Sequence, residues 1–522
     1  METRRGSGRE SILARSDSPS RAPNEGKSCT TDDERSLFCE RMVEKLIHAM
    51  ENLSEAMKAP QESQEHYQLA VIGSGSGGRE ASLLGARKGL RTALVEGDKI
   101  GGVCFHSGCY AVRALQACAH QFRDSLRSGR FGNKVDLLKA TLDEWMIAQS
   151  KVSSRLVDSF RAELILLNVD VYQGYGELLD NRTVQVVGGR GARVSFTADN
   201  VIVATGSRPE FYGSSEPRLV NSEELLRMPT LPERLVIVGG GYIGCEFASI
   251  YRTLGCAVTV VEKEDRLLPG WESEAGARVA EALVAQGVTV LLNQKFSLDQ
   301  IERDGDVLRF RPLGESVVEG DLVLMATGRK PNSRGIGLTA FGIDDSSFLK
   351  VDERMRLQAP GLYAVGDVNG ISLLDSTAFS QASVAINSIL GVQCRFDRRW
   401  TPRCVHTEPM VAAVGWTQQE AQGVEYLAVC DTIHLVSDSE RSLVEPEPTF
   451  LKVIVDPHNW HLLGCLVVGD HASTIANSAA IGIESGLSVK NLREIPLTQP
   501  SAMEALMAML RKLDEGTPWC SV

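Results

Sequence analysis

Two stretches decide how this sequence folds. In the first, Leu69-Ala-Val-Ile72 runs into Gly73-Ser-Gly75-Ser-Gly-Gly78, and after a helix-length segment a short apolar run, Ala93 to Val95, ends at Glu96. The second repeats the arrangement with Leu235-Val-Ile-Val238, Gly239-Gly-Gly241-Tyr-Ile-Gly244, and Val258 to Val261 ending at Glu262. Both the first glycines and the acidic residues stand 166 positions apart, so the unit is an internal repeat. In each copy the first glycine permits a tight turn, the second lets a pyrophosphate approach the backbone, and the third lets the helix pack on the strand. The helix N-terminus supplies the positive end for the pyrophosphate, and the acidic residue at the end of the next strand accepts from a ribose 2′-hydroxyl. Two such units in correct context predict two dinucleotide sites. Glu262 would repel a 2′-phosphate, so the second loop is expected to prefer NAD(H), with the adjacent Lys263 softening the preference.

The rest of the chain fits a large cytoplasmic globular protein. Of 522 residues, 43% are apolar and 23% charged, and three to four domains are expected at ~150 residues each. Acidic residues exceed basic ones by 67 to 55, a formal charge of −12, which argues against a nucleic-acid partner. The longest apolar stretches are too short to span a bilayer, so no membrane role is expected. Residues 1–32 are rich in Ser, Arg, Gly and Pro and read as a disordered tail; Glu2, Glu10 and Asp17 argue against a transit peptide. Phe38, Met42, Leu46, Met50, Leu53 and Met57 recur at helical steps, predicting an amphipathic docking helix that Pro60 ends, within an extension over 33–66.

Twelve cysteines are too few for a disulfide scaffold, and the close pair in Gly101-Gly-Val-Cys104-Phe-His-Ser-Gly-Cys109 stands out. In a regular helix residues five apart rise by ~7.5 Å, beyond the ~7 Å Cα limit for a disulfide, but Ser107 and Gly108 permit a distorted turn. By the residues alone the pair is either a redox couple or two reduced cysteines. Cys118, Cys245, Cys256 and Cys465 read as core residues, and the solitary Cys520 as unsuited to a relay.

From Tyr67 to about residue 520 the chain resembles the flavin-dependent pyridine nucleotide-disulfide oxidoreductases, which include dihydrolipoamide dehydrogenase, glutathione reductase and mercuric reductase. The resemblance rests on the two loops, the cysteine segment, Ala204-Thr-Gly206-Ser-Arg-Pro, Ala326-Thr-Gly328-Arg-Lys-Pro-Asn332, Leu362-Tyr-Ala-Val-Gly366-Asp367 and Thr407-Glu-Pro-Met-Val-Ala-Ala-Val-Gly415. It implies an α/β fold with two Rossmann-like dinucleotide-binding domains, for FAD and NAD, plus a C-terminal α+β dimerisation domain. The expected boundaries are 67–215 with 333–395 for FAD, 216–332 for NAD and 396–522 for the interface of a homodimer. Gly73, Gly75, Gly78 and Glu96 would hold the adenosine diphosphate of FAD, and Asp367 would lie near its ribityl chain. Gly239, Gly241, Gly244 and Glu262 belong to the NAD(H) loop, and Tyr242 matches the residue that shields the flavin until nicotinamide displaces it. Gly102, Gly176, Thr205, Gly206, Gly328 and Gly366 complete the cofactor-binding set, and no metal is expected. Cys109 would face the flavin and Cys104 would exchange with a small or lipoyl-type disulfide.

The sequence departs from the family at two places. Arg113 stands where a lysine usually pairs with the glutamate retained as Glu246, so an Arg113–Glu246 pair is expected beside the flavin. Near the C-terminus, Gln499-Pro500 replaces the usual His-Pro, while the partner glutamate remains as Glu504. Glutamine takes no proton near neutral pH, and loss of a general base costs ~10²–10⁴-fold, so Gln499 puts efficient dithiol turnover in question. His106 is a substitute base or a filler. The leading expectation is a dihydrolipoamide dehydrogenase-like enzyme. The alternatives are transhydrogenase, diaphorase or mercuric-reductase-like transfer without that base, and a non-catalytic flavoprotein subunit.

Overall fold

The computed structural model describes residues 57–58, 65–127, 142–211, 216–298, 301–311, 317–421, 424, 427–434 and 448–514. The expected tail, most of the amphipathic helix and Cys520 lie outside them. The helix does not extend to Lys58: Met57–Lys58 instead forms a short strand parallel to Val171–Tyr172, so these residues extend a sheet edge.

Each glycine unit supplies two neighbouring parallel strands to its own sheet. In the first, His66–Ile72 lies between Thr92–Glu96 and the long strand Arg193–Val203, with Asp170–Gln173 outside Thr92–Glu96. Every residue of Thr92–Glu96 is buried, as expected for a strand covered on both faces. Thr183–Val187 pairs antiparallel with Arg193–Val203 and Tyr175–Leu178 antiparallel with Thr183–Val187, while Leu362–Ala364 returns from far along the chain to pair with Arg193–Val203 in parallel. The second sheet has the order Thr289–Leu291, Ala257–Val261, Arg234–Val238, Leu322–Met325, Leu219–Val220, all parallel.

A third large sheet, formed by Arg403–Val405, Val411–Gly415, Leu462–Val468, Pro448–Val455 and Leu427–His434, is antiparallel. Helix Ala472–Glu484 covers it with an apolar face that includes Ile475, Ala476 and Ala479. Lys452, on the strand Pro448–Val455, is almost fully buried, and its Nζ lies 2.7 Å from Glu272 Oε2 and 2.6 Å from Gln418 Oε1. That cluster ties the third sheet to Glu272, the N-cap of the helix Ser273–Ala285 beside the second sheet.

Several helices frame the cavity between the glycine units. Ser76–Arg87 begins at the first glycine loop and packs against Asp375–Ile389, with Gly77 facing Ala378. Tyr242–Thr253 begins at the second loop. Beyond Glu96 the chain forms the helices Gly102–His106, Cys109–Arg127 and Leu142–Leu166.

Candidate active site

The two glycine loops have the same construction down to single hydrogen bonds. Gly73 and Gly239 adopt φ of 101° and 109°, and a Cβ on either would meet a backbone oxygen, of Ala204 or Ala326, at 2.4 Å. A Cβ on Gly78 would lie 1.8 Å from Gly73 O, and one on Gly244 1.9 Å from Gly239 O. Gly75 and Gly241, the N-caps of their helices, have no atom within 4 Å of that position. Open space at the helix N-terminus fits a pyrophosphate, whereas the third glycines are required by packing.

The acidic residues also correspond. Glu96 Oε2 accepts from Ser74 N at 2.9 Å and its Oε1 from Asp98 N at 2.7 Å. Glu262 accepts from Gly240 N and, at 2.9 Å, from Glu264 N. Both carboxylates are buried and held against their loops, within reach of a ribose bound there.

A cavity of 1190 Å³ is lined at the first loop by Gly73, Gly75 and Glu96 and continues past Gly102, Gly176, Thr205, Gly206, Gly366 and Asp367. Gly78 lies beneath its turn and does not line the cavity. Of the second loop, Tyr242 reaches the lining, while Gly239, Gly241, Gly244 and Glu262 do not. Tyr242 Oη donates to Leu373 O at 3.3 Å, and burial raises its phenol pKa well above the ordinary range. Gly328 also lies off the lining, and its carbonyl accepts from Glu210 N at 2.9 Å.

The cysteine segment forms two helices instead of one. Ser107, with φ −147° and ψ 12°, ends Gly102–His106, and a second helix starts at Cys109. This break brings the sulfurs together despite the five-residue spacing: the sulfurs of Cys104 and Cys109 and a carboxylate oxygen of Asp375 all lie within 4.8 Å of one another. Both cysteines are free thiols, Cys104 buried and Cys109 exposed. The hydrogen bond with Cys109 raises the Cys104 pKa most strongly, burial adds to it, and the neighbouring charges of Cys109 and Asp375 contribute further.

Arg113 Nη2 lies 2.9 Å from Glu246 Oε1, and both residues line the cavity. Glu246 Oε1 also accepts from His406 N at 2.7 Å, which links the pair to the third sheet. Asp367 accepts from Ser207 Oγ at 2.6 Å and has Arg329 Nε at 3.8 Å. Burial raises its carboxyl pKa against the opposing effects of these two partners. His106 Nε2 faces Ile100 O at 2.9 Å; a carbonyl only accepts, so this nitrogen carries the proton.

Gln499 and Glu504 are not brought to this cavity within the chain. Gln499 is exposed, and Glu504 Oε1 accepts from Ser501 N at 2.9 Å at the start of the helix Glu504–Asp514. Cys245, Cys256 and Cys465 are buried as expected, but Cys118 is only half-buried because its position on Cys109–Arg127 lies between the core and exposed faces.

Residues 67–388 match the pyridine nucleotide-disulphide oxidoreductase domain, and 401–510 match the dimerisation domain of the same family. The chain belongs to that family. It is 31% identical over 457 residues to dihydrolipoyl dehydrogenase 2 of Haloarcula marismortui, covering 84% of this chain and 95% of the relative. It is 32% identical over 448 residues to dihydrolipoyl dehydrogenase of Chlamydia pneumoniae, with the same coverage of 84% and 95%. The fold is similar to that of LpdA from Mycobacterium tuberculosis, with a TM-score of 0.79, 26% identity, and coverage of 85% of this chain and 99% of that one. This family member is an FAD- and NAD(H)-dependent flavoprotein oxidoreductase acting on a sulfur group. The dimerisation domain supports a homodimer. Among the described residues no helix is long and apolar enough to cross a membrane.

Sequence reasoning passed over Ser207, Arg329, Asp375 and His406, all of which line the cavity. Ser207 and Arg329 sit directly after glycines in motifs already singled out, so their motif positions were a usable signal. Asp375 and His406 gave none, because their roles depend on contacts with residues 271 and 160 positions away.

Proposed function

We propose that the protein exchanges electrons between NAD(H) and a lipoyl-type dithiol or disulfide in the cytoplasm. The observation that carries this reading is the convergence of two free cysteine sulfurs in the same cavity as the first glycine loop. Bound FAD supplies the two-electron exchange between a nicotinamide hydride and a dithiol. Gly73, Gly75, Gly78 and Glu96 hold its adenosine diphosphate, with Gly102, Gly176, Thr205, Gly206, Gly366 and Asp367 lying along the remainder. Gly239, Gly241, Gly244, Glu262 and Gly328 would hold NAD(H), and Tyr242, which lines the cavity, would shield the flavin until the nicotinamide displaces it.

Cys109 would be the sulfur toward the flavin, and Cys104 the one that exchanges with substrate sulfur. Arg113, fixed by Glu246, keeps a positive charge beside the site, where its planar fork replaces the more mobile point charge of a lysine. The FAD domain would span 67–215 with 333–395, the NAD domain 216–332 and the interface domain 396–522.

Gln499 favours a second reading, in which the physiological acceptor is another nicotinamide, a quinone or a metal ion and no interface base is needed. Two anaerobic measurements separate the readings. Titration with NADH should consume enough equivalents to reduce the cysteine pair and raise a long-wavelength absorbance band, and dihydrolipoamide should then reduce NAD⁺ catalytically. Dithiol turnover no greater than that of a Cys104→Ser variant would refute the lipoyl reading in favour of the second.

A further inference from the structure

Asp375 is the first residue of the helix Asp375–Ile389. The Cys104 thiol donates to its Oδ1 across 3.5 Å, a normal length for a sulfur donor. Its position is fixed from several sides. Ser376 Oγ donates to Pro402 O at 2.7 Å, Tyr242 Oη binds Leu373 O two residues earlier, and the helix packs against Ser76–Arg87. A carboxylate in the first turn of a 15-residue helix also interacts favourably with the positive end of its macrodipole. Ionisable groups near this cluster include Cys109 and Tyr110 on one helix, Arg79 on Ser76–Arg87, Tyr242 and Asp367.

We propose that Asp375 is a catalytic residue that moves the proton of Cys104 during thiol–disulfide exchange, the task Gln499 cannot perform. This deepens the proposed function and rests on it. In the reductive direction Cys104 Sγ attacks one sulfur of a substrate disulfide while its proton passes to Asp375. The substrate S–S bond breaks, and the first substrate thiolate leaves with that proton. Cys109 Sγ then attacks Cys104 Sγ, the mixed disulfide breaks, and the proton given up by Cys109 leaves with the second substrate sulfur as its thiol. The cysteine pair has lost two electrons and the substrate has gained two. Asp375 is preferred to His106 because its carboxylate meets the Cys104 thiol, whereas His106 Nε2 makes its contact with Ile100 O.

The test uses flavin-containing protein whose cysteine pair has been reduced with dithiothreitol and freed of excess reagent. Single-turnover exchange with 2-hydroxyethyl disulfide is compared with alkylation of Cys104 by iodoacetamide. An alkyl thiolate needs a proton to leave and iodide does not, so alkylation reads thiolate access alone. Asp375→Asn should slow exchange at least tenfold, the lower end of base loss being ~10²-fold with partial compensation by water. The same change should speed alkylation, because a negative charge beside the thiol is removed. Asp375→Glu should recover much of the exchange rate.

Exchange that is unchanged or faster in Asp375→Asn, together with faster alkylation, would reduce Asp375 to an electrostatic brake and overturn the proposal. If that variant fails to hold flavin, His106→Asn and the wild-type protein decide. A tenfold loss in His106→Asn would assign the proton transfer to His106 and overturn the proposal; wild-type exchange slowed about twofold in D₂O, with His106→Asn unaffected, would support it. Because dithiothreitol replaces NADH and the disulfide is generic, failure of dihydrolipoamide turnover would leave this result readable.

Discussion

Alanine at Gly75 and alanine at Gly78 should have different consequences, although both residues belong to one loop. At Gly75, φ is −63° and ψ −173°, a conformation open to alanine, and the added Cβ meets no protein atom within 4 Å. The folding cost is then limited to the helix N-cap preference, up to about 1 kcal/mol. The space it fills is where the pyrophosphate of FAD would approach the backbone. Overpacking there costs about 1–3 kcal/mol, which corresponds to roughly 5- to 150-fold weaker FAD binding. At Gly78 the Cβ would sit 1.8 Å from Gly73 O, a backbone atom that cannot rotate aside. The helix must move, at about 3 kcal/mol or more of fold stability. FAD titration of apoprotein by fluorescence, with thermal melting of the same apoprotein, separates the outcomes. The second loop predicts the same contrast: Gly241→Ala should raise the NADH KM without changing flavin content, and Gly244→Ala should destabilise. Wild-type FAD affinity in Gly75→Ala, or wild-type melting of Gly78→Ala, would refute this account of the loops.

Glu262→Arg should raise the KM for NADH relative to NADPH in steady-state assays, since the carboxylate that accepts from Gly240 and Glu264 would be replaced by a group suited to a 2′-phosphate. His406 has its pKa lowered from 6.5 to about 4, first by burial and then by the charge of Arg113, so the folded state binds its proton less readily than the unfolded chain. Its neutral form therefore contributes stability fully above pH ~6.5 that is lost as pH falls toward ~4, about 3 kcal/mol in all. Denaturant titrations of His406→Phe across that range should show a flatter acid slope than wild type. Lys452→Met should cost about 3–5 kcal/mol of stability by stranding the buried Glu272 carboxylate, and the double change Lys452→Met with Glu272→Gln should recover much of it in chemical denaturation.

The parts legible in the sequence were those governed by short-range geometry. The strands, the two glycine turns and the acidic residue ending each second strand recur at fixed spacing because a dinucleotide site is built within one strand-turn-helix-strand unit. The match extends to hydrogen bonds, since Asp98 and Glu264 also stand 166 residues apart and donate to equivalent carboxylates. Cys104 and Cys109 were visible as a pair, but the break at Ser107 that brings their sulfurs together is a backbone conformation that spacing alone only permits. The groups around those sulfurs were the least legible. Asp375 reaches Cys104 only because Asp375–Ile389 packs on Ser76–Arg87, and His406 reaches Glu246 only because the third sheet closes against the second loop's helix. A single sequence records such contacts as isolated acidic and basic residues with no periodicity or motif to distinguish them. Gln499 illustrates the limit: read along the chain it marks a missing base, whereas in space the Cys104 sulfur has a carboxylate at hydrogen-bond distance.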